Sequence, residues 1–334
     1  MKWFYSLVLV VALLFSACAG NSGGSQKKGS SGKTLEMLVV ANRNVYNGTT
    51  KQLIDTLFRQ PQKGLPQAEP MFDVVNIPVS SFENTEMFRV HRNVMILDVK
   101  DDNPDKVYFH KDQWAAPQVV FEFAASDRAH LDSLIEHYFP TVVESIYQAD
   151  YRRIEKAFRG TLGYEQVEKI EKQFGFRLTV SNEFEIAHPN NPSPSFAWIR
   201  KNAKDFDIGV LVDVAEYKDK EVFSEANVLD YIDTIMRRHV PSSAPDSYMG
   251  TERRLDFYTR VVDFNDCKYA VETRGCWRSF GDFLGGPFVA YTLLDPAGRQ
   301  VITLVGYVYC PRFQKRDYLM QVDGICHSLK FISE

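Results

Sequence analysis

Beyond its first fifteen residues the sequence has no apolar run approaching the roughly 20 residues that cross a bilayer, so a lipid at the start of the chain is the only membrane anchor expected. It has no His-Glu-x-x-His stretch to set two zinc ligands on one helical face, and no Gly-x-Ser-x-Gly elbow to present a hydrolase serine. A formal net charge of −4 offers no basic footprint for nucleic acid. Gly29-Ser30-Ser31-Gly32-Lys33-Thr34 resembles the end of a phosphate-binding loop. Lys27 stands where the full pattern requires a glycine, and a strand is expected to follow instead of a helix, so no nucleotide is expected either. Histidine is scarce, at seven residues, and only His130 and His137 share a helix face, with Asp127 near. A third ligand at suitable spacing is missing, so no metal and no cofactor are expected. Glu183 and Glu185 flank Phe184, but alternate strand positions share a face by default, and spacing alone does not make a glycosidase pair. There is no strict internal repeat.

What the sequence does have is a legible N-terminus. Lys2 precedes an apolar run from Trp3 to Phe15, broken only by Ser6 and closed by the small residues Ser16 and Ala17. That is the pattern of a secretory signal. Phe15-Ser16-Ala17-Cys18 resembles a lipobox, with Phe15 in place of the usual leucine, so the expectation is cleavage before Cys18 and acylation of its thiol. Ala19, where an aspartate would mark inner-membrane retention, and the lack of an acidic cluster in residues 19–25 point to the outer membrane, facing the periplasm. Residues Ala19 to Lys33 are almost all Gly, Ser, Asn, Gln and Lys, a composition that reads as a flexible tether.

The whole sequence is 45% apolar and 25% charged, as in ordinary globular proteins, and the part after the tether is long enough for two domains. The reading divides the chain into a signal peptide (1–17), a lipid-anchored tether (18–34), an α/β-type domain (35–160) and an α+β domain (161–334). In the first domain a strand at Met37 to Ala41 precedes a helix near Thr49 to Arg59, whose Leu53, Ile54, Leu57 and Phe58 form one stripe. Further strands are expected at Asn93 to Val99 and Gln118 to Phe123. A long helix capped by Ser126 or Asp127 runs toward Phe158, with a kink or break at Pro140. In the second domain a helix from Tyr164 to Phe174 is closed by Gly175, and another lies near Ala226 to Arg238. Two long loops, His188 to Ser195 and Val240 to Gly250, have the length and composition of functional segments. Strands near Leu255 to Val262, Lys268 to Arg278, Pro287 to Leu294 and Val301 to Cys310 form an antiparallel meander, packed by a helix from Lys315 to Phe331. The fold class is therefore α+β: two mixed sheet-and-helix domains, the second ending in that meander and helix.

Several motifs together resemble the bacterial lipoproteins grouped as domain of unknown function 4837. They are Gly64-Leu65-Pro66-Gln67-Ala68-Glu69-Pro70, Phe72-Asp73, His91-Arg92-Asn93, Arg274-Gly275-Cys276-Trp277 and Gly285-Gly286-Pro287-Phe288, and the likeness runs from about Leu38 to Phe331. The resemblance agrees with a lipoprotein and implies no catalytic residues.

Four cysteines remain once Cys18 is acylated. Cys267 and Cys276 lie about 30 Å apart on one expected strand, and Cys276 and Cys310 two strands apart, about 9.5 Å, both beyond the reach of a disulfide. If a bridge forms it joins Cys267 to Cys326; four reduced thiols are the other possibility. The candidate interaction surface is Arg274, Trp277, Arg278, Gly285, Gly286, Pro287 and Phe288, since Arg and Trp dominate binding hot spots and glycines at a strand entrance admit close approach. The functional expectation is a non-enzymatic binding or assembly factor with an envelope protein partner. The alternative is an envelope hydrolase with its cleft between the two domains.

Overall fold

The computed structural model describes residues 27–332 apart from residue 243. The signal segment, Cys18 and the first part of the tether lie outside the described residues. Among those described there are seven α-helices and fifteen strands.

The first half contains β1 (Glu36–Val40), α1 (Gly48–Phe58), β2 (Asp73–Ile77), the short α2 (Val79–Asn84) and α3 (Glu86–Arg89), β3 (Asn93–Val99), β4 (Lys106–Lys111), β5 (Val119–Ala125) and the long α4 (Arg128–Gly160). The strands form a sheet in the order β2-β1-β3-β5-β4, parallel except for β4. Parallel strands must be covered on both faces, and their apolar runs satisfy that need. Met37, Val39, Phe121 and Phe123 face α1 and α4, while Leu38, Val40, Val94 and Val120 pack with Ile77 and Phe82 on the other side. Asp127 caps α4 by accepting from the His130 amide at 2.9 Å. The helix does not break at Pro140: its buried stripe, Leu131, Ile135, Val142 and Ile146, continues on both sides. That packing outweighs the hydrogen bond proline removes.

The second half contains α5 (Tyr164–Phe174), β6 (Phe176–Arg177), β7 (Glu185–Ile186), β8 (Phe196–Asn202), β9 (Asp207–Glu216), α6 (Glu225–His239), β10 (Tyr248–Thr251), β11 (Tyr258–Val261), β12 (Tyr269–Phe280), β13 (Gly285–Leu294), β14 (Gln300–Tyr309), α7 (Arg316–His327) and β15 (Lys330–Phe331). Gly175 ends α5 in the left-handed conformation, φ 76°, that only glycine adopts without cost. The main sheet runs β10-β12-β13-β14-β9-β8-β7, with β11 following β10 along the outer edge of β12. The antiparallel meander β12-β13-β14 and the C-terminal helix are as the sequence indicates. Alternation along the strands divides the side chains between two cores. Val289, Tyr291, Leu293 and Leu304 meet α7 and α5 on one face, and Phe288, Ala290, Val305 and Tyr307 meet α6 on the other.

One expectation needs correction here, and one pair of alternatives is resolved. Residues 28–32 do not behave as tether: Gly29 and Ser31 form bridges with Ala116 and His91, and Lys28 pairs with Glu86 at 2.6 Å. These polar residues satisfy their backbone along the sheet's N-terminal end without burying apolar surface, which composition alone does not register. They then lead into β1. The Cys267–Cys326 bridge is not formed; the four described cysteines are free thiols. Cys326 and Cys310 are enclosed in the α7-side core and Cys267 packs against it, so they serve as small apolar residues.

The motifs of the two halves meet each other. Gly64, at φ 81°, brings its backbone onto β12, where an added Cβ would lie 2.9 Å from the Arg274 Cβ. The buried Glu69 carboxylate accepts from the amides of Lys315 and Arg316 at 2.8 and 2.9 Å, capping α7 from the other half of the chain. Glu69→Ala strands two buried N–H groups, each worth about 1–3 kcal/mol. Urea denaturation should show a loss of about 2–4 kcal/mol; a loss below about 1 kcal/mol would mean water replaces the carboxylate.

Candidate functional site

β12 is the strand on which the candidate sites are built, because its alternate residues enter two different cavities. Glu272 and Arg274 project toward α7, and Trp277 and Ser279 toward α6.

On the α7 side lies a cleft of about 580 Å³ between the two halves, bordered by Gln62 and Lys63, by α4 at Phe139 to Tyr151, and by β11. At its floor Arg274 pairs with Glu272 and, at 2.6 Å, with Asp323. Arg260 pairs with Glu272 from the rim at 2.6 Å. Asp323 also accepts from the hydroxyls of Tyr291 at 2.6 Å and Tyr151 at 3.1 Å. Burial opposes the charge on Arg274, yet Glu272 and Asp323 outweigh it and hold the guanidinium well above its ordinary pKa. Burial also opposes the Glu272 charge, and Arg274 with Arg260 reverses it, so its carboxyl is depressed. Two carboxylates face two guanidiniums, so the cluster is neutral. Burial raises Tyr151 and Tyr291 well above the phenolic range and Tyr147 to about 12, so all three are hydroxyl donors at neutral pH.

His327 closes this floor. It stacks on Tyr151 with ring centroids 3.9 Å apart, and its Nε2 lies 3.0 Å from the Tyr291 hydroxyl. Tyr291 gives its proton to Asp323, so Nε2 must carry hydrogen and donate to the phenol oxygen. Nδ1 has no protein partner among the described residues. Burial lowers the histidine's pKa despite the nearby Asp323 carboxylate.

On the α6 side lies a pocket of about 450 Å³. Both long loops named from the sequence reach it, through His188 and through Pro241 and Ser242, and the turn after β12 adds Leu284. Its floor is aromatic: Trp198 donates to the Tyr307 hydroxyl at 3.0 Å, Tyr307 donates to Asp207 at 3.0 Å, and Trp277 donates to the Val308 carbonyl at 3.1 Å. Arg200 lies over the Trp198 ring at 4.9 Å and binds Asp207.

The expected interaction surface is therefore not one surface. Arg274, Trp277, Gly286, Pro287 and Phe288 are buried, and only Arg278 and Gly285 are partly exposed. Gly286 admits a neighbouring strand and no ligand, since an added Cβ would sit 1.9 Å from the Val308 carbonyl oxygen. Arg278 is 3.6 Å from Glu252 and lies over Phe280. The motif was singled out for composition, and strand parity sends its members into separate cores. Sequence reasoning missed Asp323, His327, Tyr151 and Tyr291. Asp323 and His327 are four apart on the C-terminal helix expected to pack the meander, and two ionisable residues on one face of such a helix are the signal that was available.

The fold and the cleft define a chain of two sheet-and-helix halves closed around a buried polar floor. Residues 164–328 match the model of a domain of unknown function, DUF4837, and residues 30–159 match a second one, DUF8532. The C-terminal half belongs to the DUF4837 family; the motifs from Gly64 to Asn93, which the sequence reading attached to the same family, fall within the other match. No curated protein matches the chain.

A folded-state pKa held down in a histidine means that the unfolded chain binds the proton more readily, so stability is present at neutral pH and is lost as pH falls below about 6.5. His91 and His239 are depressed in the same direction, so the informative quantity is a difference between proteins. Between pH 7 and 5 the wild type should lose more stability in urea than His327→Gln. Parallel curves would place the imidazole outside the buried network.

Proposed function

We propose that this chain is a lipid-anchored envelope protein, acylated at Cys18 and facing the periplasm from the outer membrane, that binds another envelope component without transforming it. The observation that supports binding over catalysis is the state of the cleft floor. Glu272 and Asp323 are each matched by a guanidinium, Tyr151 and Tyr291 are spent on Asp323, and Tyr147 donates to Gln62. A general acid or nucleophile needs a group free to exchange its proton with substrate, and these carboxylates are committed to one another. The anchor rests on the signal pattern and on Cys18. From Cys18 to Lys27, the first described residue, is nine residues, at most about 32 Å of chain. The body would thus be held close to the bilayer.

One observation favours the hydrolase reading instead: His327 offers an uncommitted Nδ1 beside the cleft, oriented through Tyr291 by Asp323. An imidazole so held is a serviceable general base.

Expression of the full chain in a Gram-negative host with an alkyne fatty acid tests the anchor: the protein should be labelled and sediment with membranes, and Cys18→Ala should lose both properties. Incubation of the purified chain with cell-wall sacculi tests the chemistry. Binding should leave the sacculi intact, whereas release of soluble fragments, abolished by His327→Gln, would give the cleft to catalysis.

A further inference from the structure

We infer that the α6-side pocket, and not the cleft between the halves, is the ligand site, and that its ligand is a neutral saccharide unit. The inference deepens the binding reading above by assigning it a place and a chemistry.

The pocket's interior excludes the other ligand classes in turn. Its one guanidinium, Arg200, already holds Asp207 through Nε and Nη2, and Glu185 adds a second carboxylate at the rim. An anion such as a phosphate or a free carboxylate would meet more negative than positive charge there. A wholly apolar ligand fits no better. Ser279 lines the pocket, and its buried hydroxyl has no hydrogen-bond partner among the described residues, so an apolar occupant would leave it unsatisfied. Around it stand further polar groups with no hydrogen-bond partner among the described residues: the Tyr309 hydroxyl, Nη1 of Arg200 and the exposed side chains of Glu185 and His188. These supply donors and acceptors together over a floor of Trp198, Trp277 and Tyr307. A sugar ring pairs an apolar face of C–H groups with a rim of hydroxyls that both donate and accept, which is the complement of this arrangement. At about 450 Å³ the pocket lies within the range of small-ligand sites.

The placement agrees with the sequence. The two loops of unusual length and the Arg274–Phe288 segment come from three separate stretches of chain and converge here. Loops on a rigid sheet are where binding residues concentrate. The indole N–H groups are satisfied within the protein, so the floor is set before a ligand arrives and the loops supply the adaptable contacts.

The test uses the full acylated chain in detergent, titrated by calorimetry and by tryptophan fluorescence. The probes are tri-N-acetylglucosamine, maltotriose, galactose and, as a different class, a phenylalanine-containing tripeptide. At least one saccharide should bind saturably and change the emission. The double variant Ser279→Ala/Tyr309→Phe removes two hydroxyls without altering shape, and its affinity should fall roughly tenfold or more. Arg260→Ala, at the rim of the cleft, should leave binding unchanged, and circular dichroism confirms that each variant is folded. The inference is overturned if no saccharide in the panel binds, if the double variant binds as tightly as wild type, if Arg260→Ala weakens binding as much, or if the tripeptide alone saturates the site. An unlabelled Cys18 in the fatty-acid experiment would remove the anchor and leave this result standing, so the two failures are distinguishable.

Discussion

A guanidinium shut away from water must be met by carboxylates from several directions, and in this protein that requirement joins the halves of the chain. Arg274 on β12 lies between Glu272, two residues away on the same strand, and Asp323 on α7. Asp323 in turn accepts from Tyr291 on β13 and from Tyr151 on α4, the one member from the N-terminal half. Desolvating such charges costs several kcal/mol each, and the attraction between them offsets this only when geometry and hydrogen bonding are complete. Completion here needs all four elements in register. The cluster therefore contributes less to raw stability than to uniqueness: a shifted α7 or a rotated α4 would leave a buried charge unpaired, at a cost of about 3–5 kcal/mol.

The same logic explains why the sequence motifs lie where they do. Gly64 has no Cβ and a positive φ, which lets its loop lie flat on Arg274 and Gly275, and its carbonyl oxygen is 3.5 Å from the Cys276 sulfur. Five residues on, Glu69 caps α7, and Arg316 at the start of that helix reaches back to the Pro70 carbonyl and to Asp73. At the same end of the N-terminal sheet, Asp150 on α4 accepts from Arg92, from Arg153 and from the Leu35 amide. Motifs that are far apart in sequence are thus the two sides of a few polar joints. Such residues specify how helices and sheets are set against each other, a task that apolar packing, being nondirectional, leaves open.

Much of the fold was legible because it depends on local periodicity. The stripe of α1, the Gly175 cap and the alternation through β12, β13 and β14 are all written within a dozen residues or fewer. β4 and β10 were not identified, since their pairing partners, β5 and β12, create them and their own composition does not. The ordering of residues 28–32 was missed for the same reason: Ser31 pairs with the backbone beside His91, sixty positions away. The site was the least legible part. Arg274 and Trp277 differ in parity along one strand and so face opposite ways, but which face is open, and to what, depends on α6, α7 and two loops that arrive from elsewhere.

That division along β12 also bears on how binding and architecture coexist in one short segment. A residue on the α7 face takes part in the ionic joint between the halves, where any loss of charge propagates to α4. A residue on the α6 face meets only apolar packing and the pocket, where Ser279 changes the chemistry of the cavity without touching a charge. Because consecutive side chains on a strand point to opposite faces, the two duties are insulated from each other by a single layer of backbone. The pocket can therefore vary its ligand through Ser279, Tyr309 and the two loops while the joint stays fixed. A site placed in the cleft would have less freedom, since Glu272, Arg274, Asp323, Tyr151 and Tyr291 on its floor are all members of the network that holds the molecule together.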